Sequence, residues 1–244
     1  QQSLPEDTTV VEYFFARDEV LAFLIARNRF GAARQLTPVK RVQYLAGRLQ
    51  FQLRRFLSVL SHAKPGNPDP GRAADELMRQ FYDELVAPIA GLIETGSIVI
   101  VPHGLLHRAP FHAFQDGRGC LSDRFDISYA PSGSILKYCL GRKPAEGGTP
   151  VVVSSRPGPS IISSVPGARV LLEGDANRET VVRAGANARF VHLDVPLALR
   201  QDNPVLSGLE LADGTVSIPD IYASRFDTNM LSLSMDRPFV DVAR

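Results

Sequence analysis

The residues best suited to chemistry in this chain are a few histidines, two cysteines and scattered carboxylates. His103, His107 and His112 lie within ten residues, in HGLLHRAPFH. Imidazoles at i and i+4 suit a metal only when a helix puts both on one face. Pro102, Gly104 and Pro110 oppose a helix there, so the segment reads as a loop with structural histidines and no metal site. His192 precedes Asp194 on a predicted strand, where residues two apart share a face, and the pair could form an acid–base couple. Cys120 and Cys139 have neither metal nor redox spacing. Two free thiols fit a reducing cytoplasm, and a single disulfide is the alternative. RPGPS, Arg156 to Ser160, lacks any phosphate-loop pattern and reads as a short surface loop. No cofactor is implied.

Composition narrows the partners. The chain has 244 residues, 44% of them apolar, enough for one large domain or two small ones with a sizeable core. Charge is balanced, 27 basic against 26 acidic, which argues against nucleic acid and anionic membranes as partners. No apolar run approaches the roughly 20 residues of a membrane span. The opening QQSLPEDTT has no basic region followed by an apolar stretch, so no signal peptide is visible and a cytoplasmic location is expected.

These residues need elements to position them. VVEYFFA and VLAFLIAR are rich in β-branched and aromatic residues and are broken by Arg17-Asp18-Glu19, which predicts a hairpin, with a third strand near Phe30. Thr37-Pro38 then reads as an N-cap and first helical residue. Val39, Val42, Leu45, Leu49, Leu53, Phe56 and Leu60 follow at helical spacing, and Lys40, Arg41, Arg48, Arg54 and Arg55 read as the solvated face. Ser61 to Gly71 is a loop by composition, dividing an N-terminal hairpin-and-helix portion (1–62) from an α/β core (72–244). A second helix is expected from about Arg72 to Ile93, kinked or interrupted by Pro88. Apolar runs predict strands at Ile98–Val101, Ile127–Ala130, Val151–Ser154, Arg189–Leu193 and Met230–Leu233. Helical stretches near Ser132–Leu140, Asn177–Gly185 and Pro219–Ser224 lie between them, and Asp213-Gly214 suits a hairpin turn. This alternation predicts an α/β fold with a mainly parallel sheet flanked by helices.

Five segments, in order, carry a family resemblance. LPEDTTVVEYFFARDEVLAFLIAR resembles the opening hairpin of CHAT domains, the caspase-like domains associated with tetratricopeptide repeats in bacteria. SIVIVPHGLLHRAPFHAFQDG (Ser97–Gly117) is similar to that family's VIVPDGxLHxLPFxALxDG, with His103 in place of Asp and Ala109 in place of Leu. ISYAPSGSIL and PGARVLLEGDANRETV resemble SYAPSxSxL and PGAxxLxGxxATxxxV. FVHLDVPLALRQDNPVLSGLELADG resembles HLATHG, about seven residues, then NPLLSGLxLADG; DIYASRFDTNMLSLSMD stands where the family has a segment ending LVxLSACETG. The resemblance implies a single caspase-like domain over 1–244. Family members continue after this last strand with another helix and strand, so truncation at the C-terminus is part of the expectation.

The resemblance also implies a cysteine peptidase, in which a thiolate attacks a peptide carbonyl and an imidazole moves the proton. The residues for this are missing. Counted without a gap from His192, the family histidine falls on Pro196, and Asp202-Asn203-Pro204 stays in phase. The family cysteine falls on Asp236, or on Ser234 with a gap. Neither offers a thiol, and a serine with no base in reach is a poor nucleophile. His192, being the usual first histidine of the motif, is then a packing and hydrogen-bonding residue. The expectation is a catalytically inactive module acting in protein binding or regulation. His192, Asp194, Leu197, Asp202 and Ser234 are the candidate groove for a peptide, and tetratricopeptide repeats of this or another chain are a candidate partner. The alternative is an active cysteine-type endopeptidase.

Overall fold

The computed structural model describes residues 1–61, 70–143, 147–154, 165–186, 188–200, 202–224 and 228–234. They fall into two compact units, Gln1–Arg142 and Lys143–Arg244.

In the first unit, β1 (Thr8–Ala16) and β2 (Glu19–Ile25) form the predicted hairpin, and β3 (Phe30–Ala33) extends it. Arg17 takes the left-handed conformation at the turn, with φ 54°. Two helices follow, α1 (Val39–Ser61) and α2 (Pro70–Leu85), and then β4 (Ser97–Val101), β5 (Asp126–Tyr129) and α3 (Gly133–Leu140). The sheet order is β3-β2-β1-β4-β5, with β4 running parallel to both β1 and β5. The portion before residue 62 therefore shares one sheet with the residues after 70. It also shares one core: Val42, Leu45 and Leu49 of α1 pack with Leu77, Phe81 and Leu85 of α2. The Phe81 and Phe114 rings stack at 5.1 Å, and Tyr13 donates to the Leu85 carbonyl at 3.0 Å. Burial pushes the Tyr13 phenol far above its ordinary pKa, so it stays a neutral donor.

Several local expectations change here. Thr37 does not cap α1. Its carbonyl accepts from the Val20 amide at 3.0 Å, and Pro38 bridges to Glu19, so the residue is drawn against β2. Its hydroxyl is buried with no hydrogen-bond partner among the described residues. Leu53 keeps the helical spacing but is 48% exposed, because α1 has by then run past the core. Phe56 and Leu60 lie outside the described side chains. Pro88 acts as anticipated: α2 stops at Leu85, and Ala87–Leu92 winds as a 3-10 turn with the proline in its first positions.

The second unit contains β6 (Val151–Ser154), β7 (Arg169–Leu172), α4 (Arg178–Gly185) and β8 (Phe190–Asp194). The short strands β9 (Leu197–Ala198), β10 (Gly208–Leu211) and β11 (Gly214–Ser217) follow, then α5 (Ile218–Ala223) and β12 (Met230–Ser234). Four strands form a parallel sheet in the order β12-β8-β6-β7. Val151, Val153, Val191 and Leu193 point to one face, where Val181 and Ala184 of α4 complete a core. The other three strands form an antiparallel sheet, β11-β10-β9. The hairpin at Asp213-Gly214 is present, with Leu211 paired to Gly214 at φ 126°. The predicted strands are thus all present but, with the Asp213-Gly214 hairpin, sorted into three sheets. β4 and β5 join the N-terminal hairpin, because β1 pairs along β4. The surface loop expected at Arg156–Ser160 lies outside the described residues.

The buried Thr37 hydroxyl gives a test. Thr37→Val keeps the shape and removes an unpaired polar group, so it should raise stability by about 1 kcal/mol in denaturant unfolding. An unchanged or lower midpoint would mean that the hydroxyl is satisfied in solution.

Candidate functional site

The candidate site is built by strand alternation. In FVHLD, Val191 and Leu193 turn into the core beneath α4, which leaves His192 on the opposite face. In β6, Val153 turns in and Ser154 falls on the His192 side. In β12, MLSLS puts Ser232 directly across from His192 and Ser234 across from Asp194. Ser154 is across from Asp194 on the other flank. Five polar side chains therefore share one face near the carboxyl ends of parallel strands, where open α/β sheets place their sites.

Their contacts are specific. His192 is 3% exposed, and both ring nitrogens have partners: Nδ1 lies 3.1 Å from Ser232 Oγ and Nε2 lies 3.2 Å from Ser234 Oγ. With the proton on Nδ1, Nε2 accepts from Ser234; with the proton on Nε2, Nδ1 accepts from Ser232. Ser154 Oγ donates to Asp194 Oδ2 at 3.2 Å. The Phe190 ring stacks on His192 at 6.4 Å. This corrects one expectation: Ser234 does have a ring nitrogen within reach. The clue lay in the alternation itself, since HLD and SLS on neighbouring parallel strands bring His and Ser to one face when the register is even.

The anticipated groove divides. His192, Asp194 and Ser234 come together as described. Leu197 instead sits on β9, paired with Leu209 and packed half-buried against the core. Asp202 lies on an exposed loop, where Arg200 grips it with two hydrogen bonds of 2.9 and 2.7 Å. The hydrogen bonds from Arg200, aided by its charge, hold the Asp202 carboxyl down at about 2. Pro196, which the ungapped count places at the family histidine, accepts from the Glu210 amide through its carbonyl at 2.9 Å. Asp236, the ungapped cysteine position, lies outside the described residues.

The other candidates are structural. Both cysteines are free and both belong to the first unit. His103 is flanked by Phe14 and Phe15 at 4.7 and 5.2 Å, and its Nδ1 accepts from the Phe15 amide. His112 pairs with the Tyr129 hydroxyl at 3.0 Å. Among the described residues, no group of His, Cys, Asp and Glu could hold a metal. No described helix is long and apolar enough to cross a membrane.

The NPVLSGLELADG segment proves to be architectural. Ser207 Oγ accepts from the Arg200 amide at 3.0 Å and so closes the loop that carries Asp202. A Cβ on Gly208 would stand 2.2 Å from the Val216 carbonyl oxygen, so β10 and β11 can approach only at glycine. Asp213 accepts from the Arg178 amide at 3.0 Å, and Arg178 Nη1 reaches Asp220 at 2.9 Å. These contacts clamp the hairpin onto the start of α4, which Asn177 caps through the Thr180 amide.

A family model for the CHAT domain matches residues 75–235. No curated protein matches the chain.

Two measurements follow from this geometry. Gly208→Ala should destabilise the second unit by about 2 kcal/mol, because the methyl meets the Val216–Ser217 backbone of β11; near-wild-type unfolding would show that the strands part easily. Asp202 should titrate at about 2 by carboxyl NMR. Because this lies below the unfolded value of about 3.9, any stability from the Arg200 pair is present above that value and lost as pH falls through the folded one. Arg200→Ala should move the midpoint up toward the unfolded value.

Proposed function

Because the chain belongs to the CHAT domain family, a caspase-like and peptidase-related group, we propose that it is a non-cleaving member that binds a protein or peptide ligand. One observation carries this reading. At the strand ends where a cysteine and a histidine would act, the described chain offers Pro196 and a ladder of serines around a buried imidazole. A thiolate would need Cys120 or Cys139, and both belong to the first unit, on other elements.

The pairing of Ser234 with His192 is the strongest point for residual chemistry, and physical arguments weigh against it. An activated serine needs its base to be oriented by a third group and to move protons to and from substrate. Here the orienting position at Nδ1 is taken by a neutral hydroxyl, Ser232, and the ring is nearly inaccessible. The pattern is that of a satisfied buried polar network.

The ligand expected is an extended segment that adds main-chain hydrogen bonds beside the strands, a recognition mode that needs no catalytic group. Tetratricopeptide repeats, in this or another chain, are the proposed neighbours. Free thiols fit a reducing cytoplasm.

The test is a cleavage screen of the purified protein against a diverse peptide library, run untreated, with a thiol alkylator, and as Ser234→Ala. No turnover in any arm is expected. Cleavage stopped by the alkylator would restore the cysteine-type peptidase, and cleavage lost in Ser234→Ala would make this a serine hydrolase.

A further inference from the structure

Helix α1 carries five cations, Lys40, Arg41, Arg48, Arg54 and Arg55, and no acidic residue in 23. This local excess is lost in the balanced total of 27 against 26. One face of the helix is buried through Val42, Leu45 and Leu49. At 100° per residue, Lys40, Tyr44, Arg48, Phe51 and Arg55 fall together on the opposite side, a stripe about 22 Å long.

The stripe is exposed and unneutralised. Tyr44 is 51% exposed and Phe51 63% exposed, and Gly47 beside them leaves open space. Arg41 is held by Glu84 and Gln80 on α2, so it is engaged within the fold. Lys40, Arg48 and Arg55 have no ion pair among the described residues. Arg48 instead donates to the Tyr44 hydroxyl at 3.1 Å and lies over that ring, as Arg41 also does. These contacts hold Tyr44 and Arg48 in place.

We infer that this stripe is a docking surface for an acidic amphipathic helix of another protein, whose carboxylates meet Lys40, Arg48 and Arg55 while an apolar side chain covers Phe51. Charge complementarity is the argument. The cations and rings recur at single-turn intervals, which matches carboxylates and apolar residues spaced three and four apart on a partner helix. Nucleic acid fits less well. Its affinity rests on many phosphate contacts and a positive overall field, and this chain is nearly neutral. An anionic membrane surface fits less well too, since the apolar face of α1 is already buried in the core. The inference is independent of whether the chain cleaves peptides.

The experiment is fluorescence anisotropy with a labelled 20-residue helical peptide carrying Glu at helical spacing and Leu between. A peptide with Lys in place of Glu, a single-stranded oligonucleotide and phosphatidylserine vesicles complete the set of probes. The Glu peptide alone should bind, and raising the salt should weaken it. The double variant Arg48→Glu, Arg55→Glu should weaken binding about tenfold or more, and Phe51→Ala should weaken it several-fold. Unchanged thermal unfolding of both variants establishes that the fold is intact. Three outcomes would overturn the inference: no binding of the Glu peptide, equal binding by the charge-reversed variant, or preferential binding of the oligonucleotide or vesicles.

Discussion

A nearly buried imidazole in the middle of a parallel sheet sets the terms for the second unit. His192 has two ring nitrogens, and leaving either unpaired in the interior would cost about 1–3 kcal/mol. The strand beside it answers with serines at alternate positions, one at each nitrogen. The register of β12 against β8 follows from this need. A slip of one residue would turn Leu231 and Leu233 toward the ring and both serines away. The polar face and the core face are thus decided together, because Val191 and Leu193 can reach the core only if His192 faces the other way.

The same economy explains why so much of the family's pattern in this chain serves the frame of the second unit. Gly208 is required by the approach of two strands, Asp213 by the amide of Arg178, and Asn177 by the first turn of α4. None of these roles involves a substrate. Pro196 belongs to the same frame, its carbonyl accepting from the Glu210 amide. These contacts hold the hairpin and the start of α4 together whatever chemistry the neighbouring strand ends carry.

The two units make different use of charge. In the second, Arg178 at the start of α4 pairs with Asp220 of α5, and Arg200 pairs with Asp202 within one loop. In the first, Arg41 of α1 pairs across to Glu84 of α2, while Lys40, Arg48 and Arg55 make no ion pair among the described residues. A surface helix with five cations and no acid is hard to explain as simple solvation, where mixed signs serve equally well.

Much of the chain was legible from the sequence. Hydrophobic period alone separates strands from helices, so the hairpin, α1, the interruption at Pro88 and the Asp213-Gly214 turn could be read locally. The five ordered motifs sufficed for the family. Pairing between distant segments could not be read this way. The division of the strands into three sheets, the withdrawal of Thr37 from its cap and the parting of Leu197 and Asp202 from the groove all depend on which strand lies beside which. So does the meeting of His192 with Ser232 and Ser234, 40 and 42 residues apart in the chain. Local spacing determines which way a side chain faces on its own strand; only the packed sheet decides what it faces, because parallel register is set by burial across the whole layer.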